Sequence, residues 1–361
     1  QKTAYEIRLS LVGSEMCIRD SSMGINEKPT QLKPADYASD QEVRWCPGCG
    51  DYAILNAVKK TLADKQAKKE KTVFVSGIGC SSRLPYYMAT YGFHTIHGRA
   101  PAFATGIKLS NPELDVWIIT GDGDSLSIGG NHTIHLLRRN LDLNVMLFNN
   151  RIYGLTKGQY SPTSEVGKIT KSTPMGSLDR PFNPLTVALG AGATFVSRTI
   201  DKELKHMQSM IKRSHAHKGT SFMEIYQNCN IFNDGAFLAQ TDRDQKAETV
   251  LILENGQPMI FGKEKDKGVR LDGNKPVIVD IGDKWSIDDV LVHDESDYVI
   301  ASLLSNMSYQ TDFPDPIGVL YAVESETYEE TMVAQINEAI KKKPNGNVQD
   351  IINAGDTWVV K

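Results

Sequence analysis

Two groups of residues in this chain have the types and spacing to do chemistry. The first is Gly121-Asp122-Gly123, which closes the apolar run Asp115-Val116-Trp117-Ile118-Ile119-Thr120, taken with Asn149-Asn150, which closes a second run, Asn144-Val145-Met146-Leu147-Phe148. Each run reads as a buried strand, with a turn and a helix between them. Glycines on both sides of Asp122 let the main chain approach a diphosphate. The Asp122 carboxylate and the Asn150 amide oxygen are hard ligands of the kind an octahedral cation such as magnesium takes. The second group is sulfur. Cys46 and Cys49 form a Cys-x-x-Cys in the Pro-Gly turn Trp45-Cys46-Pro47-Gly48-Cys49-Gly50. Cys80 sits in Ser76-Gly77-Ile78-Gly79-Cys80-Ser81-Ser82-Arg83 after the strand Thr72-Val73-Phe74-Val75, and Cys229 follows the strand Ser221-Phe222-Met223-Glu224-Ile225-Tyr226.

A Gly-Asp-Gly alone is most often a turn. Here 25 residues, 124–148, separate Gly123 from Asn149, and a strand precedes each half. This resembles the thiamine diphosphate motif, in which the aspartate, the last asparagine and a main-chain carbonyl two residues on hold magnesium. By residue match these are Asp122, Asn150 and Ile152. For the four cysteines, buried small hydrophobes, structural zinc and two disulfides compete with a cluster. Disulfides suit a chain without a secretory signal badly. Zinc usually takes two local pairs, whereas one pair with two distant single cysteines suits an iron-sulfur cluster bound across a fold.

The elements that position these groups follow from periodicity. Asp51 can cap a helix carrying Ile54, Leu55, Val58 and Leu62 on one face. His97-Gly98-Arg99-Ala100 leads into a helix through Thr105 and Lys108, and its polar groups either face a diphosphate or only satisfy loop carbonyls. Pro181–Gly190 and Asp201–His217 read as helices, the latter with Leu204, Met207, Met210 and Ile211 inward, and Thr194–Val196 as a strand. From Thr249 the texture shifts: Val250–Leu253 and Val277–Val279, with Asn255-Gly256 and Asp272-Gly273, read as hairpins, followed by helices at about 297–307 and 326–343.

With 361 residues, 40% hydrophobic and 23% charged, the chain can bury a full core. A net charge of -4 gives no sign of a nucleic-acid or membrane surface, and no apolar run approaches a membrane span. We expect a cytoplasmic protein. Gln1–Ser22, which contains Cys17, fits poorly with the rest. Met16-Cys17-Ile18-Arg19-Asp20-Ser21 looks like a translated sequencing adapter, so 1–22 is expected to be a non-native extension and Met23 the start. Residues 23–44 then form a lead-in, 45–248 the thiamine diphosphate-binding domain with the four cysteines, and 249–361 a C-terminal extension lying on the core or on a partner, with a small autonomous domain as the alternative.

Trp45 to Gly50, Gly77 to Cys80, His97-Gly98-Arg99, Gly121 to Asp124, Tyr153-Gly154-Leu155-Thr156-Lys157-Gly158-Gln159 and Asn228 to Gly235 together resemble the beta subunit of 2-oxoacid:ferredoxin oxidoreductases, nearest to the 2-oxoglutarate branch. The resemblance runs from about Trp45 to Phe237 and continues more weakly to the C-terminus. It implies an α/β fold of the thiamine-diphosphate-binding type, a doubly wound, mostly parallel sheet. It also implies a 4Fe-4S cluster on Cys46, Cys49, Cys80 and Cys229, and magnesium on Asp122, Asn150 and Ile152. Cofactor contacts are implied for Gly48, Cys49, Ser81, His97, Gly98, Arg99, Gly121, Asp122, Gly123, Asp124, Asn150, Ile152, Gly154 and Leu155.

The activity so implied is oxidative decarboxylation of 2-oxoglutarate with coenzyme A to succinyl-CoA and carbon dioxide, with electrons passed through the cluster to ferredoxin. Pyruvate or a broad range of 2-oxoacids is the alternative substrate. A non-redox thiamine diphosphate lyase with a structural metal site is the alternative class. Thiamine enzymes activate the cofactor with a glutamate from a second domain, and only one doubly wound unit is readable here. An alpha subunit is therefore expected, in a heterodimer or a dimer of heterodimers. Arg83 and Lys157 are the candidates to meet the distal carboxylate of 2-oxoglutarate; they could instead meet the diphosphate or coenzyme A phosphates.

Overall fold

In the computed structural model, residues 31–282, 284–342 and 347–358 are described. Residues Pro34–Lys361 make up one unit and Gln1–Lys33 another. The expectations for Gln1–Ser22, Cys17 and a start at Met23 lie outside the described residues.

The strands of the larger unit are β1 (Thr72–Ser76), β2 (Tyr91–His94), β3 (Asp115–Gly121), β4 (Leu143–Asn149), β5 (Phe195–Ile200), β6 (Thr220–Tyr226), β7 (Val250–Ile252), β8 (Ile260–Phe261), β9 (Lys267–Asp272), β10 (Lys275–Asp280) and β11 (Asp315–Ala322). Eight form one sheet in the order β2-β1-β3-β4-β6-β5-β11-β7. Its pairs are parallel except β5 with β11. Every residue of β1, β4 and β6 is buried, as parallel strands covered on both faces must be.

Period-two alternation divides the core. Val73, Val75, Val116, Ile118, Val145 and Leu147 face one side with Ala100, Ala104, Leu136 and Leu137 of the helices Ala100–Ser110 and Gly130–Arg139. Phe74 and Trp117 stack together on the other side, and Trp117 also stacks on His215 of the helix Leu204–Ala216. The helix Asp51–Lys65 packs against that same helix. Its apolar stripe is the expected one, with Ile54, Leu55, Val58 and Leu62 all buried. Helices on both faces of a mostly parallel sheet make the doubly wound α/β fold.

Three expectations need correction. Leu204 does not face inward with Met207, Met210 and Ile211 but is exposed at the first turn of its helix. Asp51 does not cap its helix: the helix has no side-chain cap, and both Asp51 carboxylate oxygens are buried without a hydrogen-bond partner among the described residues. Val250–Ile252 is not half of a hairpin, because it pairs in parallel with Asp315–Ile317. That pairing is non-local and leaves no turn signal in the sequence. The expected turn at Asp272-Gly273 does join an antiparallel pair, β9 with β10. The 249–361 stretch thus supplies two strands of the main sheet and a small antiparallel sheet, β10-β9-β8. Among the described residues no helix is long and apolar enough to cross a membrane.

Candidate cofactor and cluster site

Four neighbouring parallel strands, β1, β3, β4 and β6, release their chains at the same sheet edge, carrying Cys80, Asp122, Asn150 and Cys229 respectively. Between β1 and β3 the chain direction across the sheet reverses, since β2 lies outside β1. This is the crevice in which open parallel sheets bind ligands. A cavity of about 70 Å³ opens there, lined by Ile78, Gly79, Cys80, Ser81, His97, Gly121, Asp122, Gly123, Asp124, Asn150, Ile152, Tyr153, Gly154 and Leu155 among others. A second cavity, of about 220 Å³, is lined by all four cysteines with Arg44, Arg83, Lys157, Gln227 and Asn230. The two share Cys80, Asn150, Gly154 and Leu155 as walls.

Asp122 is 2% exposed, and its Oδ2 accepts from Ser161 Oγ and Thr163 Oγ1, both at 2.5 Å. Burial nevertheless raises its carboxyl to about 6, a penalty that a bound cation would remove. Asn150 is aimed by its amide: Nδ2 donates to Gln227 Oε1 at 2.8 Å, which orients Oδ1, where Ile152 N also donates. A buried carboxylate and an oriented amide oxygen on one cavity fit a magnesium-diphosphate group. Gly123 lines the cavity and also meets a steric requirement. A Cβ there would collide with the Tyr153 ring, whose hydroxyl donates to Gly123 O at 3.1 Å.

Asp124 lines the cavity, but its carboxylate is occupied by the protein itself. Oδ1 accepts from Ile78 N (3.0 Å) and Gly98 N (2.8 Å), and Oδ2 accepts from Thr120 Oγ1 (2.8 Å). A Cβ on Gly77 would collide with the same carboxylate. His97 Nδ1 stands 2.8 Å from Asp124 Oδ1 without hydrogen-bond geometry, so its ring borders the cavity while leaning on Asp124. Gly98, at φ +71°, lies where a side chain would strike Gly129. Arg99 turns to His132. Gly48, at φ +81°, serves its turn. Gly48, Gly98 and Arg99 line neither cavity.

The four cysteines are free thiols. Cys46 O accepts from Cys49 N at 3.1 Å in the Pro-Gly turn, and Gln227 Nε2 donates to Cys49 Sγ at 3.2 Å. A Cβ on Gly154 would stand 3.5 Å from Cys80 Sγ and 3.6 Å from Cys229 Sγ, in ordinary contact with both, so Gly154 lies directly beside these two sulfurs. Burial pushes the Cys80 thiol up to about 12, with Arg83 pulling the other way, and pushes the Cys49 thiol up as well. These thiols are held protonated by burial, a penalty on the thiolate form that a bound metal cation would offset. A single zinc ion draws its ligands to one point, whereas a polynuclear cluster asks thiols to surround a volume. The four cysteines here wall one cavity, which fits the cluster.

Residues 77–225 match the family described as thiamine pyrophosphate enzyme, C-terminal TPP binding domain. The 2-oxoglutarate oxidoreductase subunit KorB of Mycobacterium tuberculosis is 47% identical over 357 residues, covering 97% of this chain and 95% of that one. The chain belongs to the 2-oxoacid:ferredoxin oxidoreductase beta subunits. The 2-oxoacid:ferredoxin oxidoreductase 1, subunit beta, of Aeropyrum pernix is 46% identical over 200 residues, 55% of this chain and 63% of its own length. A solved structure of 2-oxoglutarate:ferredoxin oxidoreductase from Magnetococcus marinus, with 2-oxoglutarate, coenzyme A and succinyl-CoA bound, superposes with a TM-score of 0.72 at 33% identity. It covers 92% of this chain and 98% of that one.

Within this beta-subunit fold, Arg83 and Lys157 line the sulfur cavity rather than the Gly-Asp-Gly cavity, and Arg83 Nη1 donates to Arg44 O at 3.2 Å. Ser161, Thr163, Gln227 and Tyr153 are not among the site residues expected from the sequence. The hydroxyl-rich run Ser161-Pro162-Thr163-Ser164 and the position of Gln227 two residues before Cys229 are the available signals.

Proposed function

We propose that this chain is the cofactor-binding beta subunit of a 2-oxoglutarate:ferredoxin oxidoreductase, acylating coenzyme A to succinyl-CoA with release of carbon dioxide. The observation that carries this reading is the pair of abutting cavities, one with the Asp122 and Asn150 oxygens, the other walled by four thiols. Asp122, Asn150 and Ile152 would hold magnesium and the diphosphate of thiamine diphosphate; Cys46, Cys49, Cys80 and Cys229 would hold a 4Fe-4S cluster. When bound, the thiazolium ring supplies a nucleophilic carbon and an electron sink for decarboxylation, and the cluster a one-electron outlet to ferredoxin. The protein's part is placement. Gly154 forms part of the wall shared by the two cavities, Ser161 and Thr163 orient Asp122, and Gln227 touches both Asn150 and Cys49.

A cavity of about 70 Å³ is well below the ~300–1,000 Å³ of a complete small-molecule site. This supports a site completed by an alpha subunit, in a heterodimer or a dimer of heterodimers, and it agrees with relatives being named as subunits. A cytoplasmic setting, where thiols stay reduced, belongs to the same reading. A broad 2-oxoacid preference, pyruvate included, is the second reading, favoured by relatives named for 2-oxoacids generally.

The test is co-expression with the alpha subunit and anaerobic purification. The expected product is brown, bleaches with dithionite, and reduces ferredoxin only when 2-oxoglutarate and coenzyme A are both present. A colourless but active protein would point to a non-redox lyase, and equal efficiency on pyruvate to the broad enzyme.

A further inference from the structure

Behind the Asp122 carboxylate runs a continuous line of buried polar contacts. Thr163 Oγ1 lies 2.5 Å from Asp122 Oδ2 and 2.9 Å from Asn149 Oδ1. Asn149 Nδ2 donates to Glu224 Oε1 at 2.7 Å, and Glu224 Oε2 accepts from Arg198 Nε at 2.7 Å. Arg198 and Glu224 are both fully buried. The line crosses three adjacent strands, β4, β6 and β5, and returns through the 161–164 loop to the end of β3.

Proton counting fixes its sense. A carboxylate only accepts, so Glu224 forces the Asn149 amide to present Nδ2 to it and Oδ1 to Thr163. The Thr163 hydroxyl then shares one proton between Asn149 Oδ1 and the charged Asp122 Oδ2. Ser161 supplies a second proton to the same Asp122 oxygen. Oδ2 is thereby held by two hydroxyls of the 161–164 loop.

We propose that Thr163, with Ser161 beside it, is a positioning residue of the cofactor site, locking Asp122 against the buried Arg198-Glu224 pair through Asn149 so that the ligands on β3 and β4 keep one spacing. This deepens the magnesium and thiamine diphosphate assignment and rests on it. Asn149 precedes Asn150, whose own amide is held separately by Gln227. Neither hydroxyl needs to touch the cofactor.

The experiment uses the alpha-beta complex stripped of thiamine diphosphate and magnesium. Binding of thiamine diphosphate is followed by calorimetry across a magnesium series, alongside iron content and thermal unfolding of the stripped complex. Thr163→Val keeps the shape and removes the hydroxyl; it should raise the magnesium needed for half-maximal binding about tenfold, as loss of a ligand-orienting contact does, with iron content and unfolding near wild type. Thr163→Ser should restore most of the affinity, and Ser161→Ala should show a smaller rise in the same direction. An unchanged magnesium requirement in both Thr163→Val and Ser161→Ala, or no recovery in Thr163→Ser, would overturn the proposal. If Thr163→Val fails to fold, Ser161→Ala alone decides. A wild-type complex that binds no thiamine diphosphate with magnesium would overturn the underlying assignment, and is told apart by that control.

Discussion

Arg83 shows how a residue type alone underdetermines its use. From the sequence it is a candidate for the distal carboxylate of the substrate. The structure stands it on the wall of the sulfur cavity, close enough to Cys80 for its charge to favour the thiolate. A fixed positive charge beside an electron acceptor stabilises the reduced form, so its removal makes reduction harder. Arg83→Ile should therefore lower the midpoint potential of the proposed cluster by roughly tens of millivolts, a size set by a partly solvent-screened charge at short range. Losses on 2-oxoglutarate and pyruvate should be alike. Potentiometric titration followed by electron paramagnetic resonance reads the first, and parallel kinetics the second; a loss confined to 2-oxoglutarate would return Arg83 to the substrate.

At the scale of elements, the ends of β3 and β4 are held by what lies between β5 and β6. Arg198 stacks over Tyr226, with its guanidinium carbon 4.8 Å from the ring centre, and closes on Glu224 inside the sheet. Burying two charges gains little over an apolar pair, but removing one partner leaves the other uncompensated. Arg198→Met should cost about 3–5 kcal/mol of stability for that reason, measured by denaturant unfolding of the purified complex. A midpoint within error of wild type would mean that water or another cation reaches Glu224.

Across the whole molecule, the cavity that fits a diphosphate is small and the outer strand of the sheet on that side stands open. All four residues of β2 are exposed, among them Tyr91 and Phe93, with Tyr86, Ile96 and Phe103 nearby in the chain also exposed. Large apolar side chains on an edge strand suit burial by another chain. The isolated beta chain is expected to bind thiamine diphosphate at least about tenfold more weakly than the alpha-beta complex, because binding that needs both surfaces gains affinity only when both are present. Calorimetry on the two preparations checks this. Equal affinities would mean that the beta chain alone forms the complete diphosphate site.

The parts whose physics is local were legible in the sequence. Gly-Asp-Gly and Asn-Asn each closing an apolar run, the Cys-x-x-Cys in its Pro-Gly turn, and the apolar stripe of the Asp51–Lys65 helix are all set within a few residues, and the resemblance supplied the family. How those parts meet follows from the folded arrangement of the strands. That Cys80, Asp122, Asn150 and Cys229 emerge side by side depends on the strand order β1-β3-β4-β6, which no short window encodes. The steric constraint on Gly123 comes from the Tyr153 ring, thirty residues on, and the partners of Asp122 lie in a loop about forty residues on. The join between Val250–Ile252 and Asp315–Ile317 spans a still longer separation. Hydrogen bonds and close packing act over a few ångströms of space, and the chain folds back on itself many times within that reach.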